Sequence, residues 1–209
     1  TQGYSSAASD VYKRQSMESK HFFIFRHGET DYNKQKKMQG CGIDAPLNET
    51  GIRQAFEMSD RLKDHGVELV CCSPLLRARQ MAQIVSDGHR IPMKVISELR
   101  EGCMGQAEGM YNKDIREKFA DIWATWYKPN VDMDRAFPGG ETKQQMQDRM
   151  LAAFEQMLVL RQSRIAVASH GGVIRCLLMK YGRPDEPMPN GSLFHLVYEG
   201  GEWMYLGKL

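Results

Sequence analysis

Phe22-Phe23-Ile24-Phe25-Arg26-His27-Gly28-Glu29-Thr30 is the stretch on which the fold turns. Four large apolar residues in a row suit a fully buried strand and are too few for a helix. The next two side chains, Arg26 and His27, carry or can carry charge and are costly to bury unless paired or used. Gly28 turns the chain, and Thr30 with Asp31 offers N-cap chemistry to a following helix. In open α/β sheets functional groups gather at the carboxyl ends of strands. A site is therefore expected where this strand ends.

The same design recurs far along the chain. Arg164-Ile165-Ala166-Val167-Ala168-Ser169 reads as a second buried strand, and it ends in His170-Gly171-Gly172. A helix-spaced apolar set follows at Val173, Ile174, Leu177 and Leu178. If the two strands are neighbours, two imidazoles stand side by side. A third strand, Leu69-Val70-Cys71-Cys72, leads into Ser73-Pro74, read as N-cap and N1 of a helix with Arg77 in its first turn. Histidines, arginines and helix N-termini converging on one point make an anion site, and phosphate fits it most economically.

Working outward, Thr50 to His65 reads as a helix with Ile52, Ala55, Phe56, Ser59 and Leu62 on one face, capped by Asn48 or Thr50. Further helices are expected from Pro74 to Val85, Tyr111 to Tyr127 and Gly140 to Leu160, the last burying Met146, Met150, Ala153, Phe154, Met157 and Leu158. A short strand is expected from Met93 to Ile96. A closing hairpin runs Leu193 to Tyr198, Gly200-Gly201, Trp203 to Leu206. Strands alternating with helices predict an α/β fold: a three-layer α/β/α sandwich with a mostly parallel central sheet and an antiparallel edge.

Composition narrows the function classes. A net charge of +2 over 209 residues, with no basic stripe, argues against a nucleic-acid partner. Lys34, Lys36 and Lys37 read as a solvated loop that pulls mildly on an anion. The apolar run is too short to span a membrane, and no signal-peptide core precedes it. The five cysteines show no metal-binding spacing. Cys71, Cys72 and Cys176 lie in apolar surroundings and read as reduced core residues, consistent with a cytoplasmic protein. Residues 1–16 are small and polar without periodicity and read as a disordered leader or a non-native extension; residues 17–209 read as a single domain.

The ordered motifs resemble those of the histidine phosphatase superfamily, the phosphoglycerate-mutase-like proteins. They are Arg26-His27-Gly28-Glu29-Thr30 with Asn33, then Gln39-Gly40, then Asp44-Ala45-Pro46-Leu47-Asn48-Glu49-Thr50-Gly51, then Ser73-Pro74-Leu75-Leu76-Arg77-Ala78. Leu99-Arg100-Glu101 with Glu108-Gly109, Pro138-Gly139-Gly140-Glu141-Thr142 and Ser169-His170-Gly171 complete the series. The match runs from about residue 21 to near Lys180.

That resemblance implies His27 as the nucleophile that becomes phosphohistidine, its second nitrogen held by a backbone carbonyl near Gly28. Arg26, Arg77 and a protonated His170 would neutralise the transferring phosphoryl group, which makes a metal ion or other cofactor unnecessary. Asn33, Gln39, Gly40 and Gly171 belong to the same binding surface, with backbone amides near Asn33 and Gly171 as further donors. Glu101 is the expected general acid for the leaving alkoxide and the base for the water that follows.

Other residues read as structural. Arg79 and Arg100 are expected at the surface or in ion pairs, and Glu108 tying the loop before Tyr111. Trp123, Trp126 and Tyr127 are expected to pack, with one able to line the substrate mouth. His21, His65, His89 and His195 carry no motif. Met81, Met104 and Ala107 depart from residues frequent in the family, which leaves specificity unread.

Within the family, Gln39-Gly40 resembles the phosphatase branch of α-ribazole phosphatases and broad-specificity phosphatases. The short segment between Glu101 and Gly139 points the same way, because a mutase must shield its phosphohistidine from water. The expected activity is hydrolysis of a small-molecule phosphate ester by a monomer or homodimer. A 2,3-bisphosphoglycerate-dependent phosphoglycerate mutase is the alternative, and a non-catalytic phospho-ligand binding module a more distant one.

Overall fold

The apolar run becomes the centre of the molecule. In the computed structural model, which describes residues 19–182 and 187–209, β1 (Lys20–Arg26) buries Phe22 to Phe25 with 0% exposure. The leader expected at residues 1–16 lies outside the described residues. Alternation along β1 divides its side chains between two faces. Phe22 and Ile24 pack with Met146, Met150, Phe154 and Val173, whereas Phe23 and Phe25 pack with Ala55, Met58, Met81 and Val85. The faces are covered by α6 (Lys143–Leu158) and α7 (Gly171–Met179) on one side, and by α2 (Glu49–Arg61) and α3 (Leu76–His89) on the other. This is the expected three-layer α/β/α sandwich.

The remaining strands are β2 (Leu69–Cys72), β3 (Met93–Val95), β4 (Arg164–Ser169), β5 (Leu193–Glu199) and β6 (Glu202–Lys208). Their order across the sheet is β3-β2-β4-β1-β5-β6. The first four are parallel, and β5 and β6 form the antiparallel edge. The chain leaves β1 toward the α2 face and leaves β4 toward the α7 face, so a crevice opens between their carboxyl ends.

Local chemistry explains most boundaries, and several differ from expectation. Asn48 caps α2 by accepting from Gly51 N–H at 2.9 Å, but Phe56 points outward and is 60% exposed. α3 starts at Leu76, not Pro74. Its first free amide is taken by Asp44 Oδ1 at 2.6 Å, so Ser73 is not its cap. The helix expected over Tyr111 to Tyr127 is broken at Phe119 (φ −124°, ψ 43°) into α4 (Asn112–Lys118) and α5 (Ala120–Trp126). α6 begins at Lys143 because Thr142 and Gln145 form a capping box, and it ends at Leu158. A four-residue helix, α1 (Asp31–Lys34), is capped by Thr30 as expected. Among the described residues, no helix is long and apolar enough to cross a membrane.

Candidate active site

Register brings the histidines together. β1 and β4 pair in parallel with Arg26 opposite Ser169, and His27 N–H donates to Ser169 O at 3.0 Å. The next residues, His27 and His170, therefore leave the sheet side by side with ring centroids 5.1 Å apart. Both are buried.

His27 is held in one tautomer. Its Nδ1 lies 2.7 Å from Gly28 O, an atom that can only accept, so the ring proton sits on Nδ1. Arg77 Nε donates toward Nε2 at 3.3 Å, which leaves that nitrogen as a lone-pair donor. Burial, then the charges of Arg77 and Arg26, hold the ring pKa well below 6.5 against the opposing pull of the Gly28 bond. His27 is neutral at physiological pH.

Arg77 is itself buried and aimed by carbonyls. Its Nη1 donates to Ile43 O and its Nη2 to Gly40 O, both at 2.9 Å. Gly40 has φ +62°, a conformation strained for other residues, and a Cβ there would lie 2.1 Å from Glu108 Oε1 and displace that side chain. Arg26 Nη1 donates to Met188 O at 2.6 Å, while its buried Nε has no protein partner. A Cβ on Gly171 would lie 3.1 Å from that Nε, so glycine at the start of α7 leaves room for the guanidinium.

Glu101 lies across the N-terminus of α7. Its Oε1 accepts from Gly102 N–H at 2.9 Å and Val173 N–H at 3.1 Å, and its Oε2 from Gly172 N–H at 3.1 Å. These three amides fix where the carboxyl group sits at the start of the helix. Asn33 Oδ1 accepts from Thr30 N–H and from Asn190 Nδ2, each at 3.1 Å. Gln39 is buried, and its Oε1 has no protein partner.

His170 differs from the sequence expectation. Burial, then Arg77, His27 and Arg26, push its pKa well below 6.5, so in the free protein it is neutral rather than protonated. Its Nε2 meets Ser73 Oγ at 2.6 Å, and Nδ1 has no protein partner. Ser73 Oγ also accepts from Leu75 N–H at 3.2 Å, which fixes the hydroxyl in place beside Nε2. Ser73 therefore orients His170, a role the Ser-Pro helix-start reading concealed.

These groups border a cavity of about 270 Å³. Arg26, His27, Asn33, Gln39, Gly40, Arg77, Glu101 and Gly171 line it, while His170 stands buried behind His27. Trp126 and Tyr127 also reach the wall, as does Arg175, whose guanidinium lies 5.2 Å from the Tyr127 ring centroid. Arg175 went unread although it sits one helical turn beyond Gly171, hence on the same face. Asn190 was missed as well. Pro189-Asn190-Gly191 reads as a turn, yet β1–β5 pairing brings Asn190 Nδ2 to 3.1 Å from His27 O. Arg100 pairs with Glu141 at 3.0 Å, Arg79 is exposed, and Glu108 ties loops, all as expected.

Five cysteines divide unevenly. Cys71, Cys72 and Cys176 are buried thiols, with pKa pushed up by burial to about 12, 11 and 12. Cys41 and Cys103, left unassigned by the sequence reading, form a disulfide beside the site.

Known proteins resemble this chain in sequence and fold. A family model described as histidine phosphatase superfamily (branch 1) matches residues 22–207. The uncharacterized phosphatase PhoE of Bacillus subtilis is 29% identical over 86% of this chain and 89% of its own length. The probable phosphoglycerate mutase GpmB of Salmonella paratyphi B is 30% identical over 88% of each chain. Among solved structures, Bacillus stearothermophilus YhfR superimposes with a TM-score of 0.78 at 25% identity, covering 90% of this chain and 96% of that one.

Proposed function

The chain belongs to the histidine phosphatase superfamily, and on that premise we propose that it hydrolyses a small phosphomonoester through a phosphohistidine on His27 without a metal ion. The observation that carries this reading is the state of His27: neutral, its Nδ1–H held by Gly28 O, its Nε2 lone pair beside the Arg77 guanidinium. A nitrogen so prepared can attack phosphorus without first losing a proton.

In this reading the Nε2 lone pair forms the N–P bond as the ester P–O bond breaks. Arg26 and Arg77 balance the phosphoryl charge, with the unpaired Arg26 Nε and His170 Nδ1–H as donors to its oxygens. Glu101, protonated in the substrate complex, gives its proton to the leaving alkoxide. The resulting carboxylate takes a proton from water as water attacks the phosphohistidine, which releases phosphate and restores His27. The cavity of about 270 Å³ suits a metabolite rather than a phosphorylated protein surface.

The likeness to a probable phosphoglycerate mutase favours a second reading, in which the phosphoryl group returns to another hydroxyl of the bound product. One experiment separates the two: hydrolysis of 4-nitrophenyl phosphate in EDTA by the wild type and His27→Ala, beside 2,3-bisphosphoglycerate-primed turnover of 3-phosphoglycerate. EDTA-insensitive hydrolysis that disappears in the variant, without primed turnover, supports the phosphatase. Primed turnover with negligible hydrolysis supports the mutase and defeats the first reading. The free thiols of Cys71, Cys72 and Cys176 are compatible with a cytoplasmic setting, in which the Cys41–Cys103 disulfide is open to reduction.

A further inference from the structure

Two loops from distant parts of the chain meet at the edge of the cavity. The first, Gly40 to Ile43, supplies both carbonyls that hold the Arg77 guanidinium. The second follows Glu101, whose carboxylate is fastened to α7. The two are tied twice. Glu108 brackets them with hydrogen bonds, Oε1 accepting from Cys41 N–H at 3.1 Å and Met104 N–H at 2.9 Å, Oε2 accepting from Gly42 N–H at 3.1 Å. The other tie is covalent: Cys41 and Cys103, 62 residues apart in sequence, are disulfide-bonded with Cα atoms 4.6 Å apart. Cys103 is two residues beyond Glu101, and Cys41 adjoins the carbonyl of Gly40.

We propose that Cys41 and Cys103 are positioning residues, whose disulfide clamps the Glu101 loop against the Arg77 loop and whose reduction loosens the general acid. This role rests on the phosphatase reading with Glu101 as acid. The placement makes the bond selective. Cys41 and Cys103 are both partly exposed, whereas Cys71, Cys72 and Cys176 are buried with raised thiol pKa values, so solvent thiols reach only the first pair.

The chemistry balances with a low-molecular-weight disulfide as oxidant. One protein thiolate attacks that disulfide and expels one small thiol, forming a mixed disulfide. The second protein thiolate attacks the mixed disulfide and expels the other small thiol. Two protein thiols are thus oxidised by two electrons while one small disulfide is reduced to two thiols. Reduction by a small dithiol runs the exchange in reverse. Glu108 remains in either state, so loosening the clamp leaves the loops bracketed and the fold intact.

A general acid matters most when the leaving group is poor, which separates positioning from mere support. The test compares wild type oxidised with glutathione disulfide and wild type reduced with dithiothreitol. The substrates are glycerol 3-phosphate, whose alkoxide needs a proton, and 4-nitrophenyl phosphate, whose phenolate does not. The readout is kcat/KM, which covers phosphoryl transfer to His27 and excludes hydrolysis of the intermediate. Reduction should lower kcat/KM for the alkyl ester about tenfold while changing the aryl ester less than about twofold. The double variant Cys41→Ser/Cys103→Ser should match reduced wild type and ignore the redox state.

Alkylation after denaturation should count three free thiols in the oxidised protein and five in the reduced one, as the disulfide and the three remaining cysteines require. Five thiols after oxidation would overturn the proposal directly. So would an equal fall for both esters, which signifies support without positioning, or no change for either. Failure of both redox forms to hydrolyse either ester, with the thiol count as expected, would overturn the phosphatase reading and the clamp's role with it.

Discussion

At the carboxyl end of β1, His27 faces His170 with ring centroids 5.1 Å apart; at its amino end, His21 faces His195 at the same 5.1 Å. Distance does not distinguish the pairs. Commitment of the ring nitrogens does. His21 Nδ1 and His195 Nε2 bond to each other at 2.9 Å, Ser19 Oγ meets His21 Nε2 at 3.2 Å, and both rings stack against Phe23. Three ring nitrogens of that pair are committed within the pair and its neighbour Ser19. In the His27–His170 pair the rings do not bond to each other: His27 is held by Gly28 O and the Arg77 guanidinium, and His170 by Ser73 Oγ, with His170 Nδ1 left without a protein partner. Two guanidiniums and a cavity stand beside His27, with His170 packed against it. A histidine pair becomes a candidate site through what it leaves unsatisfied.

The sharpest way to break this contrast is to change one ring in each pair. His27→Gln should lower kcat/KM for 4-nitrophenyl phosphate by about 10⁴-fold, as loss of a nucleophile does in other enzymes. His195→Gln should leave it within about twofold and cost about 1 kcal/mol of stability in urea unfolding, the worth of one hydrogen bond. Comparable losses in both variants would end the distinction. Next in size, Arg77→Met removes the charge beside Nε2 and should lower kcat by about 10³-fold, the scale of one preorganised transition-state donor. Smaller still, Ser73→Ala frees His170 to rotate, and a loss of about tenfold in kcat with little change in KM is expected.

The smallest effect is on stability and sharpens the contrast from the other end. Burial, then His21, His65 and Arg164, depress the His195 pKa to about 4, and His21 is lowered as well. The unfolded chain therefore binds protons that the folded chain refuses between pH 6.5 and 4. Stability from this pair is complete above pH 6.5 and declines as pH falls through that window. After discounting for solvent screening of half-buried rings, about 1 kcal/mol is at stake. Urea midpoints measured from pH 7 to pH 4 should fall less steeply in His195→Gln than in wild type. Parallel curves would show that the pair does not carry the effect.

Much of the fold was legible because its signals are local. Phe22 to Phe25 reads as a buried strand from four consecutive side chains, and α2 starts where an Asn-capped turn permits it. The site's principal groups were legible as residues following strands, before any distance was known. Errors arose where a residue's partner lies far off in sequence. Ser73 carries the signature of a helix cap, yet its hydroxyl serves His170, 97 positions away. Phe56 fits the helical period but sits past the edge of the buried stripe, 60% exposed. The helix over Tyr111 to Tyr127 was expected whole because its composition shows no breaker where the chain bends at Phe119.

By itself the sequence determined the alternation of strands and helices, the turn glycines and the residues that gather at the strand ends, since periodicity and capping act within a few residues. Only the tertiary structure decided which ends meet, that burial and nearby guanidiniums lower the His170 pKa, that Asn190 reaches His27 O and Arg175 the cavity, and that Cys41 joins Cys103. The physical reason is the same in each case: strand register, burial and loop closure depend on segments distant in sequence, and a side chain's charge, partner and tautomer follow from what those segments place beside it.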